Sequence, residues 1–570
     1  MSQASRSGEN AGRISAASRA FSRFAGAGII VAAHAAALAS LYQTEYGLFA
    51  IAVFLLTWGV LNCFFLVMAR RPAVAALASL AVIEILIAVS KFKFDITWMT
   101  INFLDILMID PDSMAFLLGV MPDLRMTVLA AVLAGALLMA LVWRLDPMRV
   151  RRRTASLGGA ACLAGAVTLS AAVPEQPWEP FQGVNHVSSF VRSGTVSLTE
   201  FVLSGVFDAD GEAAERLKMP AEESCQAKAK RPHIVMVLDE SSFDARAIPG
   251  VKLVPDYARH FLSYDGKERS LLVETTGGST WLAEYGALTG LSARSFGRLK
   301  FYVTRIAAGR VERGLPNALR RCGYRTFTLY PAYGSFLSAR SFQKTVGVER
   351  FMDTADMRAG DVEPDRFFYD RALKTIAEAR GANPLFLFVY TVANHFPWDV
   401  RYMPELTPGW RDPGNGTVLD EYLRRQKASA ADYADFVARL KKRFPEESFL
   451  IVRFGDHGPN FAPRLLDPQL PDGEIAQRIQ AYHPRYFTTY YVIDGVNFTP
   501  SDVSSALDAV EVAYLPLIVQ EAAGLPLDPS FEEQKRILQR CQGLFYRCAA
   551  GAEARRFNRL LIDAGLIKGL

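Results

Sequence analysis

Phe449-Leu450-Ile451-Val452-Arg453-Phe454-Gly455-Asp456-His457-Gly458 decides how the rest of the chain is read. Its apolar half reads as a strand buried on both faces, the mark of a parallel sheet covered by helices. Its polar half places an acid and a histidine side by side at the C-terminal edge of that strand, where open α/β sheets bind ligands. Such a pair can grip one divalent metal ion. Taken alone, Gly455-Asp456-His457-Gly458 also fits a turn in which the aspartate accepts backbone hydrogen bonds and the histidine packs.

Outward from this stretch, short apolar runs alternate with amphipathic ones from Pro232 onward. Residues 233–238, 324–330, 385–390 and 487–493 read as further strands, and 315–321 as a helix. This alternation predicts a mainly parallel sheet covered on both faces. Polar residues follow the strands. Asp239-Glu240-Ser241-Ser242 closes the first, and Asn394-His395-Phe396-Pro397 lies just beyond the third. Between the first two, Glu274-Thr275-Thr276-Gly277-Gly278-Ser279-Thr280 delivers a hydroxyl to the start of a helix, whose N–H groups favour an anion. A threonine hydroxyl is a poor nucleophile at its own pKa, and direct metal coordination would activate it.

The first third is different. The chain is 570 residues long and 51% hydrophobic, but its apolar residues crowd toward the N-terminus. No charge occurs between Arg23 and Glu45, nor between Glu45 and Arg70. Residues 72–90, 126–143 and 154–173 are further apolar stretches, each near bilayer-spanning length, which makes five spans. The first follows a polar arm and is followed at once by another, unlike a cleaved secretion signal. Arginines 6, 13, 19 and 23 precede span one; 70 and 71 separate spans two and three; 144, 149 and 151–153 separate spans four and five. Five spans put all three clusters on one side, so the N-terminus is expected in the cytoplasm and everything after Val173 outside the inner membrane. The 91–125 segment is apolar enough to lie in the interface. A hidden sixth span there would reverse the large domain, and Asp95, Asp105, Asp110 and Asp112 argue against one.

The net charge of +5 is partly this topological arginine, and no nucleic-acid motif accompanies it. Cys63 and Cys162 sit within spans and read as packing residues. Cys225, Cys322, Cys541 and Cys548 fall in the exported part, where disulfides persist. Cys541 and Cys548 are close enough in sequence to pair, and Cys225 with Cys322 would complete the set, although four cysteines allow three connectivities. Glu84, the one acid inside a predicted span, is either functional or turned toward a helix end or a neighbouring helix. His34, His186, His233, His260 and His483 read as structural.

Taken in order, these residues resemble the alkaline phosphatase/sulfatase superfamily. Within it they resemble its membrane-anchored phospholipid head-group transferases: lipoteichoic acid synthases, glucan phosphoglycerol transferases and lipid A phosphoethanolamine transferases. The resemblance covers about 232–525, and five spans before an exported domain is also that group's layout. It implies metal ligands at Glu240, Thr280, Asp456 and His457, with Thr280 as nucleophile. It also implies a phosphate contact at His395 and, by a looser match, a substrate arginine at Arg340. Asp239 stands as the alternative to Glu240, and Ser279 or Thr276 as the alternative to Thr280. His395 as a strand cap and Arg340 as a surface arginine are the plainer readings. Asn394-His395-Phe396-Pro397 is closer to the phosphoglycerol-transferring members, and no Cys-x-Pro-x-Arg segment offers the formylglycine nucleophile of true sulfatases.

The implied architecture is a cytoplasmic arm (1–23), a five-helix transmembrane domain (24–173), an interfacial connector (174–224), an α/β catalytic domain (225–525) and a helical appendage (526–570). The implied activity is transfer of a phosphoglycerol head group from a membrane phospholipid to a cell-envelope glycan or lipid, through a phospho-threonine intermediate. One divalent ion, Mn²⁺ or Mg²⁺, or Zn²⁺, would serve it. Phosphoethanolamine transfer and plain hydrolysis of a phosphate or sulfate ester are the alternatives. Nucleic acid is not among the expected partners.

Overall fold

The computed structural model describes residues 3–570 except 98, 110–113, 115, 116, 119–121, 174–178, 205, 213–215, 218–224, 226–230, 361, 362 and 382. Much of the expected connector therefore lies outside the described residues, as do Asp110 and Asp112. The chain divides into two compact units, residues 1–107 with 121–203, and residues 108–120 with 204–570.

The first unit is helical. Five helical stretches are long and apolar enough to cross a membrane: Ser22–Thr44, Leu48–Ala69, Pro72–Asp95, Leu124–Leu145 and Arg152–Ala172. The polar arm is continuous with the first, in one helix from Gln3 to Thr44. Val31, Phe64, Met126, Leu137 and Leu157 are exposed, as suits helices that are apolar all round and meet lipid tails. Glu84 accepts a hydrogen bond from Ser40 of the first span. His34 packs edge-on against Trp58, with ring centroids 5.4 Å apart. A sixth helix, His186–Ser204, belongs to this unit. The Val187 N–H donates to Glu45 at 2.8 Å, and the Tyr46 N–H donates to the Asn185 side chain at 2.7 Å. The turn between the first two spans is thereby stitched to the start of that helix.

The second unit is built on an eight-stranded sheet: β1 (His233–Asp239), β2 (Ser270–Leu272), β3 (Arg325–Leu329), β4 (Arg350–Met352), β5 (Leu385–Thr391), β6 (Phe449–Gly455), β7 (Thr488–Val496) and β8 (Ala509–Glu511). The order across the sheet is β4-β3-β5-β1-β6-β7-β2-β8. The first five in that order run parallel, whereas β7 is antiparallel to both β6 and β2. Every residue of β1, β5 and β6 is buried, as their unbroken apolar runs predict. Alternation sends Val235, Val237, Leu387 and Ile451 to one face, against Phe368, Tyr369, Phe436 and Leu440. Met236, Leu238, Phe388 and Val452 face the other core, with Tyr285, Leu288 and Phe342. Residues 526–570 form the helices Pro529–Cys541 and Ala552–Asp563, and their Phe531, Ile537 and Phe557 belong to this second core. Both disulfides form, Cys225–Cys322 and Cys541–Cys548.

What positions the site is register. Asp239 at the end of β1 lies opposite Thr391 of β5 and Gly455 of β6. Three neighbouring parallel strands thus stop at one level, and the residues that follow each emerge at one edge.

Candidate active site

Glu240 follows β1 and Asp456-His457 follows β6, so the aligned ends place an acid from one strand beside an acid and an imidazole from its neighbour. All three are buried, and their ligand atoms lie within 4.8 Å of one another. His457 Nε2 is 3.4 Å from Glu240 Oε1 and 3.3 Å from Asp456 Oδ2. Its Nδ1 donates to the Gly458 carbonyl at 2.9 Å, which leaves Nε2 turned toward the carboxylates. Gly455 has to be glycine: a Cβ there would sit 1.9 Å from the Ser242 carbonyl oxygen.

The nucleophile candidate arrives from the loop after β2. Thr280 is the first residue of the helix Thr280–Thr289. Its Oγ1 donates to Glu240 Oε2 at 2.9 Å and lies 3.5 Å from His457 Nε2. Gly277 fastens this loop to the other, its N–H donating to the Gly458 carbonyl at 2.9 Å. Its φ of +75° and a Cβ contact 3.2 Å from Asn460 both disfavour a side chain at that position.

Electrostatics say what the group is built to hold. Asp456 Oδ1 accepts the N–H groups of Ser241 and His457, both at 2.8 Å. Its Oδ2 is buried with no hydrogen-bond partner among the described residues. Burial and the Glu240 charge push Asp456 up to about 8. Burial opposes the charged imidazole of His457, but Asp456 and Glu240 raise it to about 9. Glu240, despite burial, is held at about 2 by the hydrogen bond and charge of His457. Two crowded carboxylates with one orphaned oxygen ask for positive charge, and the donor set of three oxygens and one imidazole nitrogen fits a divalent ion.

His395 lies beyond β5 on the same edge, half-buried, and its pKa is lowered, desolvation outweighing the Glu240 charge. Its Nδ1 contacts the Phe396 carbonyl at 2.9 Å. Sequence reasoning missed what holds it. Arg425 Nη1 donates to the His395 carbonyl at 2.7 Å, and Nη2 donates to those of Pro397 and Val400 at 2.6 and 2.9 Å. Glu421 binds Arg425 Nε and Arg424 Nε, each at 2.8 Å. On the other side Asp365 accepts the Val392 and Ala393 N–H groups, both at 2.9 Å. Glu421, Arg424 and Arg425 sit at i, i+3 and i+4 of one helix, a spacing that reads as surface ion pairs. Burial sets them apart, and one sequence does not display it.

Asp239, the alternative to Glu240, has other partners. Asp239 accepts from Arg453 Nη1 at 3.1 Å and from the Tyr490 hydroxyl, with His260 Nε2 3.4 Å away. It is spent on this buried network behind Glu240. Thr276 Oγ1 is buried without a partner among the described residues. Arg340 is not brought to the group: it pairs with Asp353 at 2.5 Å and Asp356 at 3.0 Å, and donates to the Phe351 carbonyl.

Residues 234–486 match the Sulfatase family. Over 355 residues the chain is 22% identical to a Rhizobium meliloti (strain 1021) protein named for cyclic beta-1,2-glucan modification, covering 58% of this chain and 54% of that one. Over 141 residues it is 23% identical to the lipoteichoic acid synthase of Staphylococcus saprophyticus, covering 24% of this chain and 21% of that one. The chain thus spans about half, or less, of the length of the curated relatives it matches. Among solved structures, the Streptococcus pyogenes phosphoglycerol transferase GacH, in complex with sn-glycerol-1-phosphate, aligns with a TM-score of 0.45 at 14% identity, covering 60% of this chain and 87% of that one. The lipooligosaccharide phosphoethanolamine transferase EptA of Neisseria meningitidis aligns with a TM-score of 0.45 at 12% identity, covering 83% of this chain and 95% of that one.

Proposed function

We propose, from the Sulfatase match over residues 234–486 and the five apolar helices that precede it, that the chain is a phospholipid head-group transferase of the alkaline phosphatase superfamily. It moves phosphoglycerol from a membrane phospholipid to a glycan or lipid of the cell envelope, with its catalytic domain on the outer side of the inner membrane. One observation carries the reading: a threonine hydroxyl at a helix start lies 2.9 Å from a glutamate that shares its site with Asp456 and His457.

Glu240, Asp456, His457 and the Thr280 oxygen would hold one divalent ion, Mn²⁺ or Mg²⁺, or Zn²⁺, which when bound supplies Lewis acidity and a template for the reacting oxygens. Thr280 Oγ1 is the nucleophile. Its bond to phosphorus forms as the bond from phosphorus to the diacylglycerol oxygen breaks, leaving phosphoglycerol on Thr280. His395, neutral and with its Nδ1 proton held by the Phe396 carbonyl, offers the Nε2 lone pair: it takes the proton that Thr280 loses and hands it to the departing alkoxide. An acceptor hydroxyl then attacks the same phosphorus, its proton passing by the same imidazole back to Thr280 Oγ1 as the bond from phosphorus to Thr280 breaks. The N–H groups that open the Thr280–Thr289 helix favour the charge that builds on the phosphoryl oxygens. The spans keep the domain on the membrane that stores the donor, which raises the donor's effective concentration. The segment Asn394-His395-Phe396-Pro397 supports phosphoglycerol over phosphoethanolamine.

Intact-protein mass spectrometry of the full chain tests this, after incubation with phosphatidylglycerol or phosphatidylethanolamine. Wild type should gain the mass of phosphoglycerol, and Thr280→Ala should gain nothing. Gain of phosphoethanolamine instead would reassign the donor. Turnover by Thr280→Ala would refute the nucleophile.

A further inference from the structure

Beyond the reacting centre, Arg294 and Lys300 gather around Tyr482. The Arg294 guanidinium carbon lies 3.8 Å from the ring centroid of Tyr482 and 4.4 Å from that of Tyr546. Lys300 lies 4.7 Å from the Tyr482 centroid and bonds its hydroxyl. All four side chains are partly exposed. The two ring contacts restrain Arg294 but use none of its N–H groups, and the guanidinium donates no hydrogen bond among the described residues. A restrained planar fork with its donors unspent suits a tetrahedral oxyanion.

The local acids do little to neutralise these two cations, and Glu511 pairs instead with Arg547, whose Nε lies 3.8 Å from it. Glu274 is buried, takes its hydrogen bonds from Ser292 and the Ala293 N–H, and is pushed up to about 7 by burial. Glu511 is buried and occupied by the Tyr546 and Arg547 N–H groups, at 3.0 and 3.2 Å. The segment is also tied to the nucleophile loop at both ends. Glu274 begins that loop and is bound by Ser292 and Ala293. Trp281, directly after Thr280, donates its indole N–H to the Phe301 carbonyl at 2.8 Å.

We propose that Arg294 and Lys300 form a second oxyanion site, which takes a phosphate ester separate from the one undergoing reaction. The ester is either the head group of an anionic phospholipid or a free phosphomonoester. The site needs no metal and does not depend on transfer activity, so it can be tested with the reacting centre silenced.

The experiment measures inorganic phosphate binding to the full chain in detergent, with metal chelated, by ³¹P line broadening. Arg294→Gln should weaken binding at least ~10-fold, the loss expected for two charge-assisted hydrogen bonds. Arg294→Lys keeps the charge but loses the fork, and should fall between Arg294→Gln and wild type. It decides the matter if Arg294→Gln proves unfolded by near-ultraviolet circular dichroism. Displacement of phosphate by dihexanoyl phosphatidylglycerol assigns the site to a lipid head group, and displacement by sn-glycerol phosphate alone assigns it to a free phosphomonoester. Wild-type affinity in both variants, or displacement by neither compound, overturns the proposal.

Discussion

Replacing Arg425 with alanine tests whether His395 owes its place to the helix behind it. The substitution removes three hydrogen bonds to the carbonyls of His395, Pro397 and Val400 and one ion pair with Glu421. Arg425 is 5% exposed and Glu421 2%, so water replaces little of what is lost. Arg424 still neutralises Glu421, which keeps the cost below that of a fully orphaned buried charge. Stranded carbonyls cost ~1–3 kcal/mol each, and breaking a buried pair costs ~3–5 kcal/mol. Partial relaxation of the loop makes ~3 kcal/mol the working figure, about 6 °C in melting temperature for a domain of this size. A shift of about 1 Å at His395 would cost transfer ~100-fold. The assays are thermal melting in detergent and transfer of a glycerol-labelled head group, with His395→Ala and Arg425→Lys alongside. Arg425→Ala should resemble His395→Ala in turnover, and Arg425→Lys, which can reach one carbonyl, should recover part of it. If His395→Ala is inactive while Arg425→Ala transfers within about threefold of wild type, the clamp does not place the imidazole.

Three further outcomes are expected. Added Mn²⁺ should raise the melting temperature of wild type and a chelator should reverse it, whereas Asp456→Asn should respond to neither, because a ligand that binds only the folded state stabilises it by mass action. Equal shifts in the variant would place the ion elsewhere. Glu284, buried against Gln343 at 2.7 Å, is pushed up to about 7 by burial. The folded chain holds that proton while the unfolded chain releases it near pH 4.5, so stability should fall by ~1.4 kcal/mol per unit of pH between 4.5 and 7 and level off above. Glu284→Gln should flatten that slope in melting curves taken at pH 5 and 7.5, and an unchanged difference would exclude Glu284 as its source. Gly455→Ala should abolish folding of the α/β domain, read as loss of folded full chain in detergent, because its Cβ would meet the Ser242 carbonyl at 1.9 Å; a folded variant would show that the strand end can yield.

Much of this was legible because the central strands announce themselves. Apolar runs at 233–238, 385–390 and 449–454, the last interrupted by Arg453, read as buried strands, and polar residues directly beyond them surface at the sheet edge. Asp456, His457 and the acids after the first strand follow from that rule; the choice of Glu240 over Asp239 and of Thr280 as nucleophile came from the family resemblance, and the structure brings Glu240, Thr280, Asp456 and His457 together. β2, β4 and β8 are three residues each, too short to carry a period. The reversal of β7 leaves no trace in an apolar run that reads the same in either direction. Arg340 drew attention by position after a strand, but Asp353 and Asp356 lie close enough to claim it. Asp365 and the Glu421–Arg424–Arg425 group escaped for the opposite reason, since charged residues at helical spacing look solvated until burial is known.

The level ends of β1, β5 and β6 have a consequence for how such a protein can change. The proposed ligands Glu240, Asp456 and His457 lie within two residues of Asp239 and Gly455, which face each other across the ladder between β1 and β6. Stretches farther along the same chain, such as residues 408–416, carry little of that ladder. Insertions and replacements there can remodel what is recognised without touching the atoms that react, so a lineage could exchange one acceptor for another while its catalytic centre stayed still.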